Sequence, residues 1–210
     1  MNANFHATLT PTMNFCVSKA ALQRLLLTAG LAVLTGCASV KMPAPAPSAA
    51  NAEKLRAVKL VPSQMGSFKL AAGKPADMDT ALSGLRGSSI SASQGSFSGQ
   101  LRDEIAAELS AAGLLDPKSR FVIEGQLTDS MVDAAISVGK ARLAARIQVK
   151  RDGQTVFDKE IVAESTWESS FIGAVAIPAA INQYTALYKT LAGKLFDDAD
   201  FRRALASPSP

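Results

Sequence analysis

The sequence predicts an α+β fold, a two-layer sandwich in which a mainly antiparallel sheet of about four to five strands carries two helices on one face. Three features predict it: an amphipathic helical segment, three consecutive segments that alternate apolar and polar residues, and a second amphipathic helical segment. The single domain is expected to span residues 54–205, which is long enough to bury one core.

The first elements of the domain are weakly patterned. A short apolar strand is expected over residues 55–61, ended by Pro62. Residues 62–95 are rich in Gly, Ala and Ser, and Met65 and Phe68 suggest a second strand. Because such a long stretch of weak pattern is uncommon in compact domains, residues 62–95 are expected to be functional or mobile.

The first helix is expected to begin after Ser96 and to end before Gly113. Ser96 is placed to cap the helix, and Gly113 is placed to end it, with Leu114 folding back. The apolar residues recur every four positions, and the charged residues are expected to point mostly away from them. The apolar residues are Phe97, Leu101, Ile105 and Leu109, and the charged residues are Arg102, Asp103, Glu104 and Glu108.

Three strands with one buried and one solvated face follow this helix. Their buried residues are Phe121, Ile123 and Leu127 in the first, Leu143, Ala145, Ile147 and Val149 in the second, and Phe157, Ile161 and Ala163 in the third.

The turn Arg-Asp-Gly at 151–153 sets the register of the last two strands. A two-residue Asp-Gly turn would place Gln148 opposite Phe157, whereas a three-residue loop keeps apolar residues opposite one another. The three-residue loop is therefore expected. It pairs Lys150 with Gln154, Ile147 with Phe157, Leu143 with Ile161, Arg146 with Asp158, and Lys140 with Glu164.

The closing helix is expected to start near Ile177 and Pro178, because proline is favoured in a first turn. Its apolar stripe is Ile181, Tyr184, Tyr188, Leu191 and Leu195. The acids that follow are Asp197, Asp198 and Asp200. They are interpreted as helix-capping residues rather than calcium ligands, because the loop lacks the spaced acids and the bidentate Glu of an EF-hand.

Residues 1–36 are predicted to be a secretory signal peptide. Lys19 and Arg24 precede an apolar core of about ten residues, which is too short to span a bilayer. Met13 begins a better-proportioned signal, which makes it an alternative start of the protein.

The residues Leu-Thr-Gly-Cys at 34–37 resemble the lipobox of bacterial lipoproteins. The resemblance implies that Cys37 is lipidated and becomes the N-terminus, so that acyl chains anchor the protein to a membrane. In lipoproteins of this kind, Ala38 rather than Asp implies sorting to the outer membrane. The domain is expected to face the periplasm. Residues 37–53, rich in Pro and Ala, are then expected to be a semi-rigid tether, and residues 206–210 a tail. An ordinary signal peptide with an incidental cysteine is the alternative.

The composition excludes most catalytic machinery. The 210 residues include one His and two Cys, of which the His and one Cys lie in the predicted signal peptide. The mature chain then has no His, and its only thiol, Cys37, is expected to carry lipid. No catalytic residue, metal site or cofactor is therefore predicted. Glu164 and Glu168 are not predicted to act as a catalytic acid–base pair, because Glu164 is expected to pair with Lys140.

Basic side chains share one face of the second strand, and acidic side chains share the same face of the third. The basic residues are Lys140, Arg142, Arg146 and Lys150, and the acidic residues are Asp158, Glu160 and Glu164. A neutralised, solvated face is expected, and no nucleic-acid partner is predicted.

The segment 167–178 holds the only Trp of the chain and an apolar run on a connection between elements. It is expected either to tuck under the sheet as core or to be exposed and bind a protein partner or a lipid chain. The candidate contact residues are Trp167, Phe171, Ile172 and Val175.

The mature chain resembles the auxiliary lipoproteins of bacterial ABC-type lipid-transport systems. The resemblance rests on LRDEI at 101–105, AGL at 112–114, VIEGQL at 122–127 and RDG at 151–153. It implies an accessory role beside membrane machinery and carries no catalytic residue across. An uncharacterised envelope lipoprotein family with the same fold is the alternative, because residues 167–178 depart from the pattern.

These observations predict a non-catalytic, lipid-anchored envelope protein that binds a protein partner in outer-membrane assembly or lipid transport. One alternative is a carrier for a lipid or a small apolar ligand held between helices and sheet. Another is an enzyme with an Asp/Glu or Ser/Lys site that the sequence does not reveal.

Overall fold

The structure is a computed structural model that describes residues 39–206. The predicted signal peptide, the lipobox at 34–37 and the last four residues of the predicted tail lie outside the described residues. In chain order the elements are β1 (Ser39–Lys41), α1 (Ala49–Arg56), β2 (Gln64–Leu70), α2 (Asp77–Thr80), β3 (Ala81–Leu85), β4 (Ser88–Ser91), α3 (Phe97–Ala111), β5 (Phe121–Asp133), β6 (Ser137–Arg151), β7 (Gln154–Ser169), α4 (Gly173–Asp197) and α5 (Ala199–Ala204).

Two sheets organise these elements. The larger has the strand order β2-β5-β6-β7, with β2 parallel to β5 and the other neighbours antiparallel. The smaller has the order β1-β4-β3, with β1 parallel to β4. Helices α3 and α4 pack on the apolar face of the larger sheet, so the predicted α+β fold is confirmed.

Both ends of α3 are formed as predicted. The Ser96 hydroxyl accepts a hydrogen bond from the Gly99 amide at 3.1 Å. Gly113 has a φ of +74°, and the Leu114 amide donates to the Leu109 carbonyl at 2.8 Å. This left-handed residue and the bond across it satisfy carbonyls that the end of the helix would otherwise leave unpaired.

The predicted three-residue loop between β6 and β7 is wrong. Asp152 and Gly153, with φ of +51° and +83°, form a two-residue turn. Lys150 pairs with Thr155, but Val149 pairs with Phe157, so the strand bulges at Val156. The extra residue in β7 returns the apolar side chains to the inner face. A two-residue turn therefore no longer places Gln148 opposite Phe157.

The bulge also changes the predicted charge pairs. Glu164 lies opposite Arg142 rather than Lys140 and forms an ion pair with it. Arg146 still reaches Asp158, with 2.6 Å between the guanidinium and carboxylate atoms. The solvated face of β6 and β7 is therefore neutralised, as predicted.

The predicted strand at 55–61 is wrong, because residues 49–56 form α1. Ser48 caps this helix, and the segment consists mostly of good helix formers. Leu55 is buried on the inner side of the helix. Among the described residues, the predicted element itself forms one isolated bridge, between Leu60 and Ala206.

Residues 39–53, predicted as part of a tether, pack on the domain. β1 pairs with β4, and Met42 is only 3% exposed. The Pro43 carbonyl accepts a hydrogen bond from the Gln100 side chain at 3.0 Å. The Pro- and Ala-rich segment then lies along α3 until α1 begins.

α4 begins earlier than predicted, at Gly173, which puts Pro178 in its second turn. A proline there cannot donate a hydrogen bond to the carbonyl of Ala174. Four of the five predicted stripe residues are buried, and Ile181 is partly buried. Asp198 caps α5 by accepting bonds from the amides of Asp200 and Phe201, which confirms the capping role.

Residues 62–95 contain regular structure that the sequence pattern only partly predicts. The strand suggested by Met65 and Phe68 is present as β2, whereas the β3–β4 hairpin was not predicted. Gly84 has a φ of +98°, and its carbonyl accepts a bond from the Ala134 amide at 2.9 Å. This contact joins the hairpin to the end of β5.

Two carboxylates of α3 that were predicted to point away are buried instead. Both oxygens of Glu108 accept from the Ser48 amide at 3.0 Å, and one also accepts from the Asn51 side chain at 3.0 Å. Asn51 in turn donates to the Lys189 carbonyl at 3.1 Å, so α1 is bound to both α3 and α4. The prediction failed because α1 covers a helix face that would otherwise meet solvent.

Glu104 lies one turn before Glu108 and has a buried oxygen without a partner among the described residues. Burial raises the pKa of Glu104 to about 7 from its ordinary value of 4.5, with Lys189 opposing the shift and Glu108 adding to it. The folded protein therefore holds a proton on Glu104 at pH values at which the unfolded chain has released it.

Glu104→Gln should change how stability depends on pH. In the parent, the free energy of unfolding should fall as pH rises through the window from 4.5 to about 7, because the unfolded chain loses the proton first. The variant should lack this loss, match the parent near the lower limit and be the more stable protein at about pH 8. Urea unfolding across this pH range measures the difference. Glu53→Gln, at an exposed position on α1, is the matched control and should follow the parent; an identical profile for Glu104→Gln would contradict the assignment.

Candidate functional site

The four residues predicted to contact a partner or lipid divide into two groups. Trp167 lies on the inner face of β7 and is half-buried over Gly139, where a side chain would overlap the indole. Phe171, Ile172 and Val175 are 78%, 61% and 57% exposed. The segment is therefore core at its start and open surface where α4 begins.

Two further apolar side chains lie beside this exposed segment. Ile136, on the connection between β5 and β6, is 58% exposed, and Val138, at the start of β6, is 46% exposed. Ser137 pairs with Ser169, so this connection lies next to the end of β7. We call the five exposed side chains the apolar rim: Ile136, Val138, Phe171, Ile172 and Val175. The sequence analysis missed the first two, and the apolar character of Ile136 on a connection was the signal that could have found them.

The Arg86 side chain fixes the backbone beneath the rim. Arg86 lies in the turn between β3 and β4, with a φ of +51°. Its guanidinium donates to the carbonyls of Ala134 at 2.6 Å, Ser170 at 2.7 Å and Phe171 at 2.9 Å, and to the Ser169 hydroxyl at 3.3 Å. The Arg86 guanidinium thus joins the end of β5 to the end of β7, because its planar group carries several N–H donors that can reach both.

The beginning of the described chain lies at the same end of the domain. Ser39 is opposite Ser89, and Lys41 is opposite Ser91, so the first residue of β1 is next to the start of β4. β4 follows directly after the turn that carries Arg86. The N-terminal end of β1 is therefore close to the turn whose arginine supports the rim.

Among residues 39–206, the carboxylates considered for catalysis or metal binding are paired, exposed or covered. Residues 39–206 contain no group of three or more His, Cys, Asp or Glu side chains that could hold a metal ion. Glu164 is paired with Arg142, as described above, and Glu168 is exposed. Glu104 and Glu108 are close together on α3, but α1 covers them and both oxygens of Glu108 are occupied by hydrogen bonds.

The space between helices and sheet, where a carried lipid would lie, is filled by large side chains. Phe97, Tyr184 and Tyr188 are fully buried there, and Phe97 and Tyr184 pack edge to face with 5.6 Å between ring centroids. The Tyr184 hydroxyl bonds to those of Ser130 at 2.6 Å and Tyr188 at 3.0 Å, which satisfies these polar groups internally. Burial raises the pKa of both tyrosines, so they stay neutral.

The clefts on the domain lie at its surface. A cleft of about 480 Å³ is lined by Phe121 and Arg151, at the opposite end of the sheet from the rim. A groove of about 310 Å³ on the solvated sheet face is lined mainly by polar side chains, among them Lys69 and Gln126. No helix within residues 39–206 is long and apolar enough to cross a membrane.

Solved structures of bacterial proteins match this chain at low sequence identity. A Xanthomonas campestris protein of the family DUF330 matches with a TM-score of 0.51 and 13% identity, over 76% of this chain and 94% of that one. A structure described as a putative lipoprotein from Caulobacter crescentus matches with a TM-score of 0.43 and 13% identity, over 77% and 99% of the two chains. A minor lipoprotein from Acinetobacter baumannii matches with a TM-score of 0.43 and 14% identity, over 72% and 99%.

No family model and no curated protein sequence matches this chain. At 13% identity the Xanthomonas match shows a shared fold alone. The chain therefore has the fold of a known bacterial protein, and its role has to be argued from its own residues.

Arg86→Ala should loosen the rim and cost about 1–3 kcal/mol of stability, because a charged donor to several backbone carbonyls is lost. Amide hydrogen exchange should accelerate in residues 134–138 and 169–173 more than in the centre of β6. Arg120→Ala is the matched control, because Arg120 is exposed and forms one ion pair at 3.6 Å with Asp152; it should change stability by about 0.5 kcal/mol or less. Equal effects of the two variants on stability and exchange would contradict the role given to Arg86.

Proposed function

We propose that this chain is a non-catalytic lipoprotein of the bacterial cell envelope. A lipid on Cys37 holds it in the outer membrane with its domain in the periplasm, where it serves as an accessory module for a protein partner in outer-membrane assembly or lipid transport. The observation that carries the proposal is the position of the lipobox-like residues 34–37, which end two residues before the first strand of the domain.

The arrangement of the described residues is consistent with a role without catalysis. The fold is shared with a bacterial DUF330 protein. Within the described residues, the Glu108 carboxylate holds α1, Glu164 is paired with Arg142, and Asp198 caps α5. The filled interior favours an accessory protein over a carrier of lipid between helices and sheet.

The proposal predicts that the anchored protein contacts an envelope protein in living cells. A photoreactive amino acid is introduced separately at three exposed positions, Lys59, Lys118 and Glu160, and crosslinked partners are identified by mass spectrometry. At least one position should capture a defined envelope protein, and metabolic lipid labelling should mark the parent chain.

Cys37→Ser is the matched control for both measurements. This variant should lose lipid labelling, leave the outer-membrane fraction and lose the crosslink, although its domain sequence is unchanged. Lipid labelling that persists in Cys37→Ser would refute the anchor. A lipidated protein that captures no envelope protein from any of the three positions would refute the accessory role.

A further inference from the structure

The apolar rim and the N-terminal end of β1 occupy the same end of the domain, and this arrangement indicates which surface the rim contacts. We propose that the rim docks on the lipid bilayer that holds the anchor, with Phe171 and Ile172 entering the interface between headgroups and acyl chains. This inference rests on the proposed lipidation of Cys37 and deepens it, because it assigns a membrane-binding surface to the folded domain.

The short reach of the chain before β1 brings this end of the domain to the bilayer. Ser39 follows Cys37 by two residues, and two residues span at most about 7 Å. A free tether over residues 37–53 would instead have reached about 50 Å in an extended conformation. Because residues 39–53 pack on the domain, a lipidated Cys37 leaves no room for a protein layer between the membrane and this end.

The composition of the rim suits a lipid surface. Single exposed apolar side chains are ordinary on a protein, but a cluster at one end marks a contact. Phe171 and Ile172 are consecutive and are the two most exposed large apolar side chains of the described residues. Transfer of such side chains from water to the bilayer interface is favourable, and the anchor holds them where that transfer can occur.

The rim is also held rigidly in the free protein. Arg86 donates to the carbonyls of Ala134 and Phe171, on the two segments that form the rim. Ser137 and Ser169 pair between these segments. The Ile172 amide donates to the Ser170 hydroxyl at 3.1 Å, which fixes the start of α4. A surface that is already ordered loses little conformational entropy on docking, so modest apolar burial is enough.

A fluorescent probe at the rim tests the inference directly. Ile172→Cys is introduced in the full chain, purified after lipidation and labelled with an environment-sensitive dye at the new thiol, since Cys37 is blocked by its lipid. The protein is reconstituted in vesicles of phosphatidylethanolamine and phosphatidylglycerol that contain a spin-labelled quencher lipid. The matched control is Gln154→Cys, at the opposite end of β6 and β7.

The dye at position 172 should shift its emission to the blue and be quenched several-fold more strongly than the dye at position 154. Phe171→Ser, added to Ile172→Cys, should weaken this quenching. Val156→Ser, which removes an exposed apolar side chain at the far end, should not.

Mass spectrometry of the same samples separates the two proposals. If the chain is lipidated but the dye at position 172 is as exposed to water as the dye at position 154, membrane docking is overturned and the proposed anchor stands. Protection of the dye only after a protein is added to the vesicles would also overturn it, in favour of a protein contact. A chain without lipid on Cys37 would overturn both proposals.

Discussion

Three residues, Ser39–Lys41, pair in parallel with β4, and this short ladder determines which end of the domain lies nearest to Cys37. It places Ser39, the first described residue, beside the turn that carries Arg86. With the proposed lipid on Cys37, that position sets the reach of the anchor and the surface of the domain nearest the membrane. Under the proposed lipidation, a long free tether would let the domain rotate, whereas a domain packed from Ser39 onward is held close to its anchor.

The ladder is held by contacts that lie far from it in the sequence. Met42 is buried behind it, and the following segment is fastened where Ser48 and Asn51 bind the Glu108 carboxylate. Hydrogen bonds to a buried charged acceptor are among the stronger ones in proteins, and removal of either partner leaves the other unsatisfied. One carboxylate on α3 therefore helps to convert a segment with the composition of a linker into a part of the domain. The neighbouring Glu104 is buried beside it, and this burial raises the pKa of Glu104.

The sequence predicted the elements whose determinants are local. Ser96 and Gly113 mark the two ends of α3, and the alternation of apolar and polar residues in β5, β6 and β7 predicts a sheet with one apolar face. Both signals are carried by residues that are neighbours in the sequence. The register of the last hairpin could not be obtained in this way, since the bulge at Val156 depends on the packing of Phe157 across the sheet. The docking of residues 39–53 was missed for a similar reason: its determinants are Glu108 and Lys189, distant in sequence from the segment that they hold.

The candidate site was predicted in part. Phe171, Ile172 and Val175 were identified from an apolar run where polar residues were expected, and they are exposed. Ile136 and Arg86 join them only through the folded topology, which local patterns do not encode.

The central claim is that the folded domain rests directly on the bilayer, and neutron reflectometry of the lipidated protein on a supported membrane tests it. The account predicts protein density that begins at the headgroups without an intervening layer of solvent. A solvent layer several tens of Å thick, as an extended tether of 37–53 would produce, would contradict it.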